Sequence, residues 1–164
     1  MTAAPRAETG FSLIELLAVM AVMAILAALA VPSMMDRVVR DQIVEATKLA
    51  ELAKGPVASR WAATGALPND NAAAGLPNAD KIVSNLVSAV AIEAGAIHVT
   101  FGNRASAAIL GKTLTLRPAV VEGETIVPVA WVCAAASAPL KMTLRGVDRS
   151  DVASRYLPMN CRPG

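Results

Sequence analysis

Few residues in this sequence have side chains suited to chemistry, and those few lie far apart. The two cysteines, Cys133 and Cys161, are too widely spaced for a CxxC metal pair, and two sulfurs alone leave a zinc site short of ligands. In an exported protein such a pair reads as one disulfide; in a cytosolic protein it reads as two buried thiols. His98, the single histidine, falls in a segment of strand character, where a structural or exposed role outweighs ligation. The serines form no nucleophile elbow, and neither a P-loop nor a dinucleotide fingerprint is present. No enzyme, cofactor or metal site is therefore expected. The most informative polar residue is Glu15, because it sits inside an apolar stretch. A carboxylate near the centre of a membrane-spanning helix costs about 2.5–3.5 kcal/mol, and less near an edge. Gly10 lies just before it; without a Cβ, its backbone can enter a protease site closely and adopt dihedrals closed to other residues.

The element that must carry Glu15 is an apolar helix. From Leu16 to Met35 there are 20 consecutive uncharged residues, bounded by Glu15 and Asp36. About 20 residues at 1.5 Å rise cross a hydrocarbon core of about 30 Å. An ordinary signal peptide competes with this reading, since Ala28-Leu29-Ala30 resembles an A-x-A cleavage site. A plain single-span anchor also competes. A buried core helix does not, because the stretch is apolar on all faces. Two features oppose the simpler readings. An export signal gains nothing from Glu15, and the helical pattern continues past the A-x-A site. Met35, Val39, Ile43, Ala46, Ala50, Ala53 and Val57 recur every three or four residues and form one apolar stripe. Asp36, Arg37, Arg40, Asp41, Glu45, Lys48 and Glu51 take the other faces. Asp36 with Arg40 and Arg37 with Asp41 have i,i+4 spacing, worth a few tenths of a kcal/mol per pair. Pro32 predicts a kink or local melting, and Gly55-Pro56 a second kink or an early helix end.

Composition agrees with a rod attached to one domain. The chain has 164 residues, of which 55% are apolar, 3% aromatic and 17% charged, more apolar sequence than a domain this size needs for its core. A net charge of +2 is too small to argue for a nucleic-acid partner. After Trp61 the helical signals stop, and residues 63–80 are rich in Gly, Pro, Asn and Asp, marking a surface loop. Strand-prone runs follow at Ile82–Ile92 (which could also be helical), Ala96–Phe101, Lys112–Val121 and Thr125–Cys133, with Glu122-Gly123-Glu124 as a hairpin turn. The expected fold is α+β: a long N-terminal helix whose amphipathic half packs on an antiparallel sheet of about four strands. Arg145, Asp148, Arg149, Asp151 and Arg155 read as a solvated face in an otherwise sheetless tail.

Gly10-Phe11-Ser12-Leu13-Ile14-Glu15, followed by the apolar run, closely resembles the prepilin motif, and the chain resembles a type IV pilin. The likeness continues through Ala30-Val31-Pro32 and Asp36 to Gln42, Glu45 and Ala46. It returns at Trp131-Val132-Cys133 and Tyr156-Leu157-Pro158-Met159-Asn160-Cys161-Arg162. The resemblance implies cleavage by prepilin peptidase between Gly10 and Phe11, N-methylation of Phe11, and assembly roles for Glu15 and Pro32. It also implies a Cys133–Cys161 disulfide around a C-terminal loop. Ala24 departs from the helix-weakening glycine common in the family, so the rod should stay helical to about Ala28.

The implied organisation is a leader at 1–10, a transmembrane and assembly half at 11–35 and an amphipathic half at 36–62. A loop at 63–80, a sheet at 81–133 and the bridged region at 134–164 follow. The implied function is a structural filament subunit serving adhesion, twitching motility or DNA uptake. Its partners are copies of itself in a helical filament and the pilus assembly machinery, reached from the inner membrane. The leader offers Arg6 and Glu8 against Arg37 and Arg40 beyond the span, which runs mildly against the positive-inside tally. A minor pilin or a type II secretion pseudopilin shares this architecture, though the cysteine pair and Tyr156-Leu157-Pro158 favour a pilin. A DNA-binding or adhesive module would need Lys112, Arg117, Lys141 and Arg145 gathered into one basic stripe.

Overall fold

The computed structural model describes residues 10–162, the side chains of residues 31–33 excepted. The leader before Gly10, with Arg6 and Glu8, and the Pro32 side chain therefore lie outside the described residues. The chain forms two compact units, one ending at Met35 and one beginning at Asp36.

The first unit carries the start of helix α1 (Leu13–Thr64). Its first helical hydrogen bond runs from Leu16 N to Ser12 O at 3.1 Å. Glu15 lies in the first turn, where a carboxylate meets the positive end of the helix dipole. The backbone stays helical through Pro32, so the local melting expected there is not found. Ala27, Ala28 and Ala30, just ahead of it, are the strongest helix formers available.

In the second unit, Val39, Ile43, Ala46, Ala50, Ala53, Val57 and Trp61 of α1 are buried, one residue every three or four. This is the stripe read from the periodicity, extended by one turn to Trp61 but without Met35, which is 66% accessible. The expected ending at Gly55-Pro56 does not occur, and the helix runs on to Thr64. Proline there costs one amide donor, but an early end would expose Val57 and Trp61, which are 0% and 6% accessible. Gly65 stops the helix instead: at φ +65° its amide donates to Trp61 O at 2.8 Å. The expected i,i+4 pairs of Asp36 with Arg40 and Arg37 with Asp41 do not form. Arg40 Nε donates to Arg155 O at 2.9 Å instead. A charged donor on a carbonyl outweighs an exposed ion pair worth a few tenths of a kcal/mol.

The sheet comprises β1 (Val87–Glu93), β2 (Ala96–Phe101), β3 (Thr113–Val120), β4 (Ala130–Cys133) and a two-residue β5 (Thr143–Leu144). The antiparallel order is β1-β2-β3-β4, with β5 also on β3. Ala94 and Gly95, both at positive φ, make the two-residue turn between β1 and β2. Register pairs Val99 with Val90 and Leu114, and Ile97 with Ile92 and Leu116. These residues and Phe101 form one core with the α1 stripe.

Three boundaries differ from the sequence expectation. Residues 82–86 are not strand, although Ile82 and Leu86 are still buried. The last long strand starts at Ala130 rather than Thr125, since Pro128 cannot donate to a ladder. The tail is not sheetless, because β5 pairs with Ala119 and Val120. Pro118 lacks a donor on the β2 side, so the β2 ladder ends at Leu116; its free carbonyl accepts from Arg145 N at 2.9 Å.

The 63–80 loop is tied to the outer edge of β1 by Asn71, which is 8% accessible. Its Oδ1 accepts from Ile92 N at 2.7 Å, and its Nδ2 donates to Val90 O and Pro77 O, both at 2.9 Å. One side-chain amide thus substitutes for a neighbouring strand, meeting the rule that buried backbone groups are paired.

Candidate functional site

Every residue from Gly10 to Ala30 is exposed in the first unit, with Phe11 81% accessible. By length and composition α1 can cross a membrane. A continuous apolar surface of this extent marks a site that lipid or another protein must cover. Gly10 and Phe11 precede the helix, and Glu15 is the only ionisable residue between Phe11 and Met35. Gly10 and Phe11 thus lie just ahead of the first turn of α1, which carries Glu15, whereas Pro32 lies near the other end of the apolar run.

In the second unit Cys133 closes β4 and Cys161 lies in a 3-10 turn, Met159–Cys161. Their sulfurs are 2.07 Å apart with a sequence separation of 28. Both are buried, at 7% and 3% accessibility, so the bridge anchors the C-terminal segment against the core.

Of the charged residues expected on a solvated face of the bridged region, Arg145, Arg149, Asp151 and Arg155 are exposed and Asp148 half-buried, but several are also engaged in contacts. Arg145 pairs with Glu122 and Arg149 with Glu93, each at 2.6 Å, and Asp151 lies 3.3 Å from Lys112. The reason is the edge of β3. Beyond the last β4 pairing, the amides of Thr113 and Thr115 need acceptors. Asp151 Oδ1 takes the first at 2.6 Å and Ser150 Oγ the second at 3.0 Å. Residues 148–151 therefore strap that edge.

Beneath the strap sits His98, 5% accessible, which takes the structural one of the two roles its sequence position allows. Its Nδ1 is 2.9 Å from Thr115 Oγ1, which also accepts from Arg149 N at 3.0 Å. The Thr115 hydroxyl has one proton and a second acceptor site, so it can serve Nδ1 in either ring tautomer. Nε2 faces Glu93 Oε2 at 3.7 Å, too far for a hydrogen bond. Burial lowers the His98 pKa below its usual value of 6.5; nearby Arg149 adds to this, while Glu93 and Asp148 oppose it. The pairing of His98 with Thr115 had no local signal in the sequence, because the partner belongs to another strand.

The residues considered for a basic stripe are largely engaged. Lys112 and Arg145 are in ion pairs, and Arg117 Nη2 donates to Ala134 O at 2.9 Å. Among the described residues, no group of His, Cys, Asp and Glu is placed to hold a metal ion.

Two family models match the chain. One, described as pilin, a bacterial filament, covers residues 39–162, and the other, the prokaryotic N-terminal methylation motif, covers residues 5–31. The chain is similar to fimbrial protein EcpC of Eikenella corrodens, with 34% identity over 160 residues, covering 96% of this chain and 92% of that one. It is 32% identical over 162 residues to the type IV major pilin protein PilE of Neisseria gonorrhoeae, covering 94% of each chain. A fimbrial protein of Neisseria meningitidis serogroup A is 30% identical over 167 residues, again with 94% of each covered.

Proposed function

This chain belongs to the pilin family and is a structural subunit of a type IV pilus, and on that premise we propose how it reaches the filament. Residues 11–35 hold the precursor in the inner membrane. Prepilin peptidase cuts between Gly10 and Phe11, the new Phe11 amine is methylated, and the assembly machinery packs copies into a helical surface filament. The subunit serves as the major pilin, for adhesion, twitching motility or DNA uptake. The observation that carries this reading is the apolar helix exposed on all sides, joined to the matched methylation motif. Lipid covers that surface first, and neighbouring rods cover it afterwards.

Glu15 supplies register. Cleavage creates a cation at Phe11, and bundling of the rods buries it. A carboxylate from a neighbouring rod offsets both desolvation costs only when the two groups meet at one axial step. Pro32 is an assembly residue by virtue of the amide donor it lacks, which leaves the helix easier to open at that point under load. The Cys133–Cys161 bridge and the family match favour a pilin over a secretion pseudopilin. The test is Glu15→Ala. The variant should enter the membrane at the wild-type level but yield few sheared filaments; a normal filament yield would remove the register argument.

A further inference from the structure

Arg40, Arg155 and Arg162 are joined by hydrogen bonds in the second unit, with Arg37 one turn ahead of Arg40 on α1. Arg37 and Arg40 are three residues apart on α1 and so share a face. Arg40 Nε donates to Arg155 O at 2.9 Å, and Arg162 Nη2 reaches the same carbonyl at 3.4 Å. Arg162 Nε is held by Leu157 O at 3.0 Å, and the Arg155 guanidinium lies 4.9 Å over the Tyr156 ring. Two guanidinium side chains from distant positions, Arg40 and Arg162, thus share the backbone carbonyl of a third arginine. Lys54, Lys112, Arg145 and Arg149 each have a carboxylate within 4 Å. Among the described residues none of Arg37, Arg40, Arg155 and Arg162 does, although Asp36 and Asp41 stand at the right helical spacing. Arg37, Arg40 and Arg155 are exposed and Arg162 is half-buried, so most of their N–H donors face outward unused.

We propose that these arginines bind the phosphate headgroups of anionic phospholipid while residues 11–35 lie in the membrane. The inference rests on the membrane reading above. With Met35 at the edge of the hydrocarbon, 1.5 Å of rise per residue puts Arg37 and Arg40 within about 8 Å of it, inside the headgroup layer. The bonds to Arg155 O bring the C-terminal arginines to the same level. Guanidinium is the group suited to bidentate contact with a phosphodiester. The surface also gives a purpose to arginines placed beyond the span against the positive-inside tally. A headgroup hold there would fix the height of the subunit before it is extracted into a filament.

The test is native mass spectrometry of the full-length mature chain in micelles, titrated with phosphatidylglycerol, phosphatidylcholine or inorganic phosphate. At about 1 kcal/mol per basic residue near an anionic surface, the preference for phosphatidylglycerol should fall about fivefold in Arg155→Gln. That variant leaves the carbonyl clamp intact, so lost binding cannot be assigned to misfolding. The Arg40→Gln/Arg162→Gln double variant should lose more. Equal binding of the two lipids, or unchanged preference in Arg155→Gln, overturns the proposal. Inorganic phosphate bound as tightly as phosphatidylglycerol overturns the lipid assignment in favour of a free-anion site. Equal lipid binding with filament yield lost in Arg155→Gln assigns the arginines to a neighbouring subunit instead. A chain that never partitions into micelles or membrane refutes the membrane reading itself, whereas one that partitions without headgroup preference refutes only this inference.

Discussion

Replacing Asn71 with alanine isolates a contact that ties the loop after α1 to the sheet. The substitution leaves the Ile92 amide and the Val90 carbonyl, both in buried residues, without partners, and frees the carbonyl of exposed Pro77. A buried polar group stripped of its partner costs about 1–3 kcal/mol. Pro77 O can recover a water, so the two remaining groups should make Asn71→Ala destabilise the domain by about 2–6 kcal/mol. Asn71→Asp should do no better at neutral pH. It keeps an acceptor for Ile92 N but turns a second acceptor towards two carbonyls. The assay is urea unfolding of the mature full-length chain in micelles, followed by fluorescence of Trp61 and Trp131, which both lie in the second unit. The midpoint should fall at unchanged slope, since the same surface is exposed on unfolding. Asn69→Ala, which removes an exposed side chain close by, should stay within about 0.5 kcal/mol of wild type. A loss of under about 0.5 kcal/mol for Asn71→Ala would refute the claim that its amide substitutes for a strand.

Further outcomes follow from the bridged region and from His98. Removing the bridge with Cys133→Ala/Cys161→Ala should cost about 3–4 kcal/mol in the chain-entropy model for a separation of 28; an unchanged urea midpoint would contradict this. His98 has its folded pKa lowered by burial, so the unfolded chain binds its proton first as pH falls. Its contribution to stability is complete above about pH 6.5 and is lost progressively below that value, down through the folded pKa. Unfolding midpoints measured across this range should therefore decline towards acid, and the decline should be shallower in His98→Gln; identical slopes would remove His98 from the account.

What the sequence made legible was what local pattern encodes. The apolar run needs only length and composition, and the α1 stripe only a period of three and four. The extent of β2 and the start of β3 are marked by strand-prone residues and alternation. The unforeseen features all depend on partners distant in the chain. Arg40 has Asp36 four residues away but binds the carbonyl of Arg155. Asn71 lay in a stretch that reads as surface loop, yet its partners are in β1. Asp151 reads as part of a solvated face and stays exposed, yet it and Ser150 take the Thr113 and Thr115 amides that the short β4 leaves without strand partners. Gly55-Pro56 misled for the opposite reason: its local preference is real, but burial of Val57 and Trp61 outweighs it. At the N-terminal site, the motif itself was legible, whereas the chemistry at Gly10 and Phe11 belongs to an enzyme and leaves no packing signature in this chain.

The central claim is that cleavage after Gly10 prepares this chain for polymerisation through the helix that follows. Mass spectrometry of the N-terminal peptide from sheared surface filaments tests it most directly. The account predicts a chain beginning at Phe11 and heavier by one methyl group on its amine. A chain beginning at Val31, as a signal peptidase cut after Ala30 would leave, or one retaining the residues before Phe11, contradicts it.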